Sequence, residues 1–183
     1  GLGKFYDNHP ERYFDVGIAE QHAVIFASGL ARQGYIPIVA IYSSFLQRAF
    51  DQIIEDVALH KLHVVFAIDR AGLVGADGET HQGQFDLSYM NMVPGMEILA
   101  PADGSQLEDM LEYAVNVCTG PVAIRYPRSE AGTNSLGFDG DNKILTTGKD
   151  VTILAVGTML NNALKVSELL SAEGISVGVI NVS

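Results

Sequence analysis

The chain has 183 residues, 48% hydrophobic and 18% charged, enough to bury a core and too apolar for a disordered region. Its net charge of −11 is spread along the chain, which argues against non-specific binding to nucleic acid or to an anionic membrane surface. One cysteine, Cys118, excludes an internal disulfide and suits a reducing compartment, and no apolar run reaches the ~18 residues that span a bilayer.

The opening stretch, GLGKFYDNHPERYF, has no initiating Met and is expected to lie inside a longer polypeptide. RYFDV (12–16) predicts a strand. A helix follows over 20–32, with Ala23, Phe26, Ala27, Leu30 and Ala31 at helical spacing and Gly34 as its stop. IPIVAIY (36–42) is a continuous apolar strand. The next helix, 44–60, carries Leu46, Ala49, Ile53, Val57 and Ala58 on one face. HVVFAID (63–69), MEILAP (96–101) and PVAIRYP (121–127) are further strands, with a helix over 105–117 before the last of them. Strands apolar on both faces, alternating with helices, predict an α/β fold: a parallel sheet flanked by helices. Residues 128–143 are polar and rich in Gly, Asn and Asp, which reads as a linker. A strand (150–158), a helix (160–172) and a strand (175–182) then form one βαβ unit. Alone it cannot bury both strand faces, so a second α/β domain is expected here in incomplete form. The expected division is 1–128, a linker 129–149, and 150–183.

Ligands of open parallel sheets bind beyond the carboxyl ends of the strands. Glu20, Tyr42, Ser43, Asp69, Arg70, Arg125, Tyr126 and Arg128 are all expected on that rim, although strand ends meeting solvent also collect charge. On the 44–60 helix, Phe45 falls about 120° from the centre of the apolar stripe and Arg48 nearly opposite it. An aromatic so placed offers its ring either to a ligand or to a neighbouring domain. The stretch DRAGLVGADGETHQGQFD (69–86) has four glycines and no periodic pattern, and long structureless loops of this kind are commonly functional. Its titratable candidates are Asp77 and His81. His60 and His63 suit the end of a helix, where a cation meets the macrodipole. No P-loop, G-x-G-x-x-G, H-E-x-x-H or C-x-x-C is present, and the histidines lack metal-ligand spacing, so no metal ligands are predicted.

Taken together, YFDVGIAEQHAV, AIYSSFLQRAFDQ, FAIDRAGLVGADGETHQGQFDLSY and RYPR resemble the 1-deoxy-D-xylulose-5-phosphate synthases, thiamine-diphosphate enzymes of the transketolase superfamily. The resemblance is strongest from residue 1 to 128 and weaker beyond. It implies the middle, pyrimidine-binding domain of a longer enzyme, lacking its first strand and helix, followed by the start of the C-terminal domain. The motif that holds diphosphate and Mg²⁺ in this family would lie in a domain absent from this chain. The resemblance implies that Glu20 hydrogen-bonds a ring nitrogen of the aminopyrimidine and favours the tautomer that takes a proton from the thiazolium carbon. Ile18 and Ala19 are expected to bury the acid, favouring its neutral form, and Ile18 to line the cofactor pocket. Phe45 would stack on the pyrimidine. Tyr42, Arg70 and Arg128 would contact the phosphate of glyceraldehyde 3-phosphate, with Arg48 at the same end of the substrate pocket, arginine suiting the task because its planar fork binds two oxygens at once. Asp77 and His81 would orient the acceptor aldehyde or move protons.

The implied reaction joins pyruvate to glyceraldehyde 3-phosphate with loss of CO₂, in a homodimeric, cytoplasmic (or plastid) enzyme requiring thiamine diphosphate and Mg²⁺. Alternatives are a transketolase, the β subunit of a 2-oxo acid dehydrogenase, or a non-enzymatic domain that kept the scaffold. Glu79, Gln84 and Ser129 depart from the family pattern, and Glu79 is expected to face solvent.

Overall fold

The computed structural model describes residues 2–130 and 135–183. A short helix α1 (Gly3–Asn8) and a 3₁₀ turn (Pro10–Arg12) precede an extended, unpaired segment. The strand expected over 12–16 does not form. Its apolar residues serve a different purpose: Phe14 packs edge-on against Phe26 at 5.1 Å, and Tyr13 against Tyr6 at 5.4 Å. The aromatic pair in this segment therefore records packing against helices rather than a place in a sheet. Helix α2 (Glu20–Arg32) has the bounds that its periodicity predicts. It ends where Gly34 takes φ +86° and the Tyr35 N–H returns to the Leu30 carbonyl.

Strands β1 (Ile38–Tyr42), β2 (Val65–Asp69), β3 (Glu97–Leu99) and β4 (Val122–Arg125) form one wholly parallel sheet in the order β1-β2-β4-β3. One face buries Phe66, Ile68 and Val64 against Val24 of α2 and against Leu46, Ile53 and Val57. The other buries Val65, Leu99, Val122 and Ile124 against Met110 and Ala114 of α6 (Gly104–Asn116). Both faces are covered, which is why the strands read as unbroken apolar runs.

Between β1 and β2 the chain is helical throughout, but it is not one helix. It runs as α3 (Ser43–Leu46), a 3₁₀ turn (Gln47–Ala49), α4 (Phe50–Gln52) and a π-helical turn (Ile53–Ala58). The changes of hydrogen bonding keep Leu46, Ala49, Ile53, Val57 and Ala58 in the core. Sequence periodicity registers that apolar stripe and not the ladder behind it. Helix α5 (Asp86–Met90) follows the long loop.

Strands β5 (Lys143–Thr146), β6 (Val151–Val156) and β7 (Val177–Val182), with α7 (Leu160–Ala172) joining β6 to β7, form a small mixed sheet in the order β5-β7-β6. β6 and β7 are parallel, and β5 runs antiparallel to β7. β5 falls inside the stretch read as linker. It is four residues long and largely exposed, so its composition resembles that of the loop before it. Residues 131–134 of that linker lie outside the described residues. The two sheets meet through Gln106, fully buried in the first turn of α6. It accepts from the Ala102 N–H at 2.8 Å and donates to Gly137 O and Ser183 Oγ.

Candidate active site

The carboxyl ends of β1, β2 and β4 open onto one rim, and all eight polar and aromatic candidates form one chain of contacts beside it. Glu20 is the first residue of α2 and only 7% exposed. Its Oε1 accepts from Arg48 Nη1 at 3.1 Å. The Arg48 guanidinium also lies 5.4 Å from the Phe45 ring centroid. Phe45 stacks on Tyr42 (5.6 Å, 19° between planes) and meets His81 edge-on at 5.0 Å. Arg70 lies over the other aromatic, its guanidinium 4.1 Å from the Tyr42 centroid. Asp77 joins Arg70 to Arg128, completing the series with all eight residues connected.

One expectation changes. Ile18 does not bury Glu20: it is 92% exposed, on a bend held by the Gly17 N–H donating to Asp15 Oδ1. The neighbour of the acid is a guanidinium, not an alkyl side chain. Arg48, expected at the same end of the pocket as the phosphate arginines, contacts Glu20 and Phe45, whereas Arg70 and Arg128 share Asp77. The sequence places Arg48 opposite the apolar stripe but does not say which acid it faces.

Local backbone explains how Arg70 is aimed. It takes φ +59°, a left-handed conformation that costs a non-glycine residue ~1 kcal/mol or more and turns the chain sharply out of β2. Several contacts hold it there. Asp69 Oδ1 accepts from the Arg70 N–H at 2.6 Å and its other oxygen from the guanidinium, while the Ala71 N–H donates to Tyr126 O at 3.0 Å. Burial, and secondarily the Asp69 carboxylate, push the Tyr126 phenol up to about 12, so it stays a neutral hydroxyl beside these charges.

The loop after Arg70 is an ordered body rather than a loose tether. Gly72 and Gly83 exchange two backbone hydrogen bonds (2.7 and 2.8 Å) that pin its base. Gln82 braces the inside, Oε1 accepting from the Val74 N–H and Nε2 donating to Gly78 O, both at 2.7 Å. His81 Nδ1 and Thr80 Oγ1 lie 3.0 Å apart. Glu79 and Gln84 both face solvent. Gly83 has no room for a side chain: a Cβ there would sit 2.1 Å from Arg70 O and 2.6 Å from Ser43 Oγ. Gly83→Ala is therefore expected to destabilise the fold by ~1–3 kcal/mol and to displace Arg70. Urea unfolding measures the first effect, and an unchanged midpoint would show that the loop base yields freely.

A second tier supports the first: Ser43 and Arg125 are expected rim residues, but Asp86 and Tyr89, which hold them, are not. Asp86, 2% exposed at the start of α5, accepts at Oδ2 from Ser43 Oγ (3.1 Å) and Arg125 Nε (3.2 Å), and at Oδ1 from the Leu87 N–H (2.7 Å). Tyr89 Oη donates to the Ser43 carbonyl at 2.9 Å. Burial, then the Asp86 charge, raise the Tyr89 phenol well above its ordinary range, keeping it a donor. α5 thus grips Ser43, the residue between Tyr42 and the Phe45 turn, by both side chain and backbone. The available signal was an acid inside the apolar run FDLSYM.

A cleft of ≈ 560 Å³ lies at the opposite, amino-terminal end of the strands, bordered by Lys61, Glu97, Tyr113 and Cys118. None of the eight candidates lines it. Burial, then Glu97, push the Cys118 thiol up to about 12, which removes it as a nucleophile near neutral pH. His60 is exposed, and His63 Nε2 lies 2.7 Å from Ala114 O, a structural contact. Among the described residues no group of three His, Cys, Asp or Glu side chains comes together to hold a metal.

The chain matches known proteins along both of its parts. A family model described as the transketolase pyrimidine-binding domain matches residues 2–133, and one described as the transketolase C-terminal domain matches residues 140–183. The chain is 55% identical to the 1-deoxy-D-xylulose-5-phosphate synthases of Dictyoglomus thermophilum and Chlorobaculum tepidum, over 100% and 95% of its own length and 30% and 28% of theirs. It spans less than a third of these curated relatives. Among solved structures, a split-gene transketolase described as an inactive β4 tetramer superposes with a TM-score of 0.86 at 37% identity, over 97% of this chain and 58% of that one. A transketolase from Pichia stipitis shares the fold at a TM-score of 0.82 and 19% identity, over 90% of this chain and 26% of that one. With the pyrimidine-binding model matched over most of its length and the observed parallel sheet in agreement, the chain belongs to the transketolase family.

Proposed function

We propose that this chain forms the pyrimidine-facing wall of a thiamine-diphosphate site in a 1-deoxy-D-xylulose-5-phosphate synthase, which joins pyruvate to D-glyceraldehyde 3-phosphate with loss of CO₂. The observation that carries the reading is the buried acid Glu20, linked through Arg48 and Phe45 to the rim where Arg70 and Arg128 meet. The residues fit the group: an acid able to share a proton with a ring nitrogen stands within one side chain of an aromatic platform. When bound, thiamine diphosphate supplies the electron sink for decarboxylating a 2-oxo acid and joining its remainder to an aldehyde.

The chain's own part is positional and protonic. Glu20 shares a proton with the pyrimidine nitrogen, Phe45 presents its ring to the pyrimidine, and exposed Ile18 closes over it. His81, edge-on to Phe45 and held by Thr80, exchanges a proton with the aldehyde oxygen. Arg70 and Arg128 take the phosphate, with Tyr42 beneath Arg70. Mg²⁺, the cofactor's partner ion in this reading, would take its ligands from another part of the full-length enzyme. We assign residues up to 128 to the pyrimidine-binding unit and those from 143 to the second unit, with the linker shortened by β5. A homodimer is favoured by Phe14, Ile18 and Ile25, left exposed around α2. The single cysteine suits a cytoplasmic setting.

The test is product analysis with thiamine diphosphate, Mg²⁺, pyruvate and glyceraldehyde 3-phosphate. The full-length enzyme is expected to release one CO₂ per 1-deoxy-D-xylulose 5-phosphate, and the 183-residue chain alone to be inactive. Ketol transfer between sugar phosphates in place of decarboxylation would overturn the assignment. Turnover by the chain alone would overturn the need for a second domain.

A further inference from the structure

Arg70 and Arg128 come from the ends of different strands and close on one carboxylate. Asp77 Oδ2 accepts from Arg70 Nε at 3.1 Å, and Oδ1 accepts from Arg128 Nη1. This is the geometry that two guanidinium groups offer to two oxygens of any oxyanion. The Asp77 side chain is 14% exposed although it rides on a loop, whereas that of Arg128 is 50% exposed. An entering anion therefore reaches Arg128 from solvent and meets Asp77 already in place.

Asp77 is able to leave without dismantling the site. Arg70 keeps Asp69 and the face of Tyr42. The loop keeps its Gly72–Gly83 base, its Gln82 brace and the Asp77 N–H bond to Val74 O. Charge also balances without ligand, with Asp69 and Asp77 set against Arg70 and Arg128. A bound monoanion would only restore what Asp77 gives. A phosphate, carrying about −1.5 to −2 charges and a third free oxygen, gives more.

We propose that Asp77 is a specificity-determining residue: it occupies the two-arginine site as an internal competitor, so that a phosphate displaces it and a monocarboxylate does not. The inference rests on the placement of the acceptor phosphate at Arg70 and Arg128 made above. It gives the enzyme a way to keep the carboxylate of one substrate out of the anchor of the other, by a repulsive and occupying element rather than by an added contact.

The experiment is calorimetric titration of inorganic phosphate, and separately of acetate, into the chain and its Asp77→Asn variant at low ionic strength. Asp77→Asn keeps the shape and removes the charge. It is expected to bind phosphate about tenfold more tightly, the worth of one charge-assisted contact, and to show a smaller preference for phosphate over acetate. Phosphate binding that is unchanged or weaker in Asp77→Asn overturns the proposal, and Asp77→Ala gives the same reading if Asn retains both bonds. Arg128→Gln separates the two layers. If it abolishes phosphate binding while Asp77→Asn fails to tighten it, the anchor stands and the competitor role falls. If Arg128→Gln leaves phosphate binding intact, both fall.

Discussion

Exchanging Glu20 for alanine in the full-length enzyme is expected to cut kcat by about 10²–10⁴ while leaving the fold nearly untouched. The two halves of that statement come from different contacts. Glu20 is buried, but its hydrogen-bond partner is Arg48, whose side chain is 54% exposed. Removing the carboxylate frees a guanidinium that turns to water, so no charge is stranded in the interior. What the fold loses is an acid in the first turn of α2, worth ~0.3–1 kcal/mol, or about 1–4 °C in Tm for a unit of this size. What the reaction would lose is the group proposed to share a proton with the pyrimidine nitrogen, and no other buried acid adjoins Phe45 among the described contacts. Glu20→Gln sharpens the comparison. The amide keeps the size and still accepts from Arg48, so stability should match the wild type, yet it cannot give up a proton and activity should fall as far. Steady-state kinetics beside thermal melts of both variants decide the matter. Activity within tenfold of wild type in either one removes Glu20 from the proton path.

How much of this was legible in advance depends on the range over which each feature is determined. The bounds of α2 and α7 follow from local periodicity and agree with the structure to the residue. The parallel sheet follows from apolar runs that alternate with helices. The strand expected over 12–16 does not form because Phe14 serves α2, and a short apolar stretch does not distinguish a sheet neighbour from a helix neighbour. β5 was lost because four half-exposed residues beside glycines carry too little pattern. At the rim, the residue types Glu20, Phe45, Arg70 and His81 were legible as strand-end and loop features, but their partners were not. Arg48 meets Glu20 across 28 positions, and Arg128 meets Asp77 across 51. Contacts of that length are set by topology, and one sequence carries no trace of them. The same holds for the partner of Asp86: the acid stands out inside FDLSYM, but only the fold of β4 brings Arg125 beside it.

Asp86 should accordingly be the most costly polar side chain of the site to remove. It is 2% exposed, and its oxygens serve a buried hydroxyl, a backbone N–H and the guanidinium of Arg125, whose side chain is 14% exposed. Asp86→Ala leaves that guanidinium without its counter-charge in the interior, an arrangement that costs ~3–5 kcal/mol and corresponds to a Tm lower by roughly 6–20 °C. Urea unfolding with an unchanged slope would read this as lost stability rather than as a changed unfolded state. The pair Asp86→Leu with Arg125→Met then divides stability from positioning. Apolar residues of similar volume in both places should recover much of the loss, because the expense lies in the orphaned charge rather than in the missing bond. Activity should not recover with it. Ser43 would still lack its Oγ acceptor, and the turn that carries Tyr42 and Phe45 would be held by Tyr89 alone. A double variant that regains both stability and full activity would mean that packing by itself sets the aromatic platform. A variant that regains stability only would identify the buried carboxylate as what fixes the register between the end of β1 and the loop bearing Asp77 and His81.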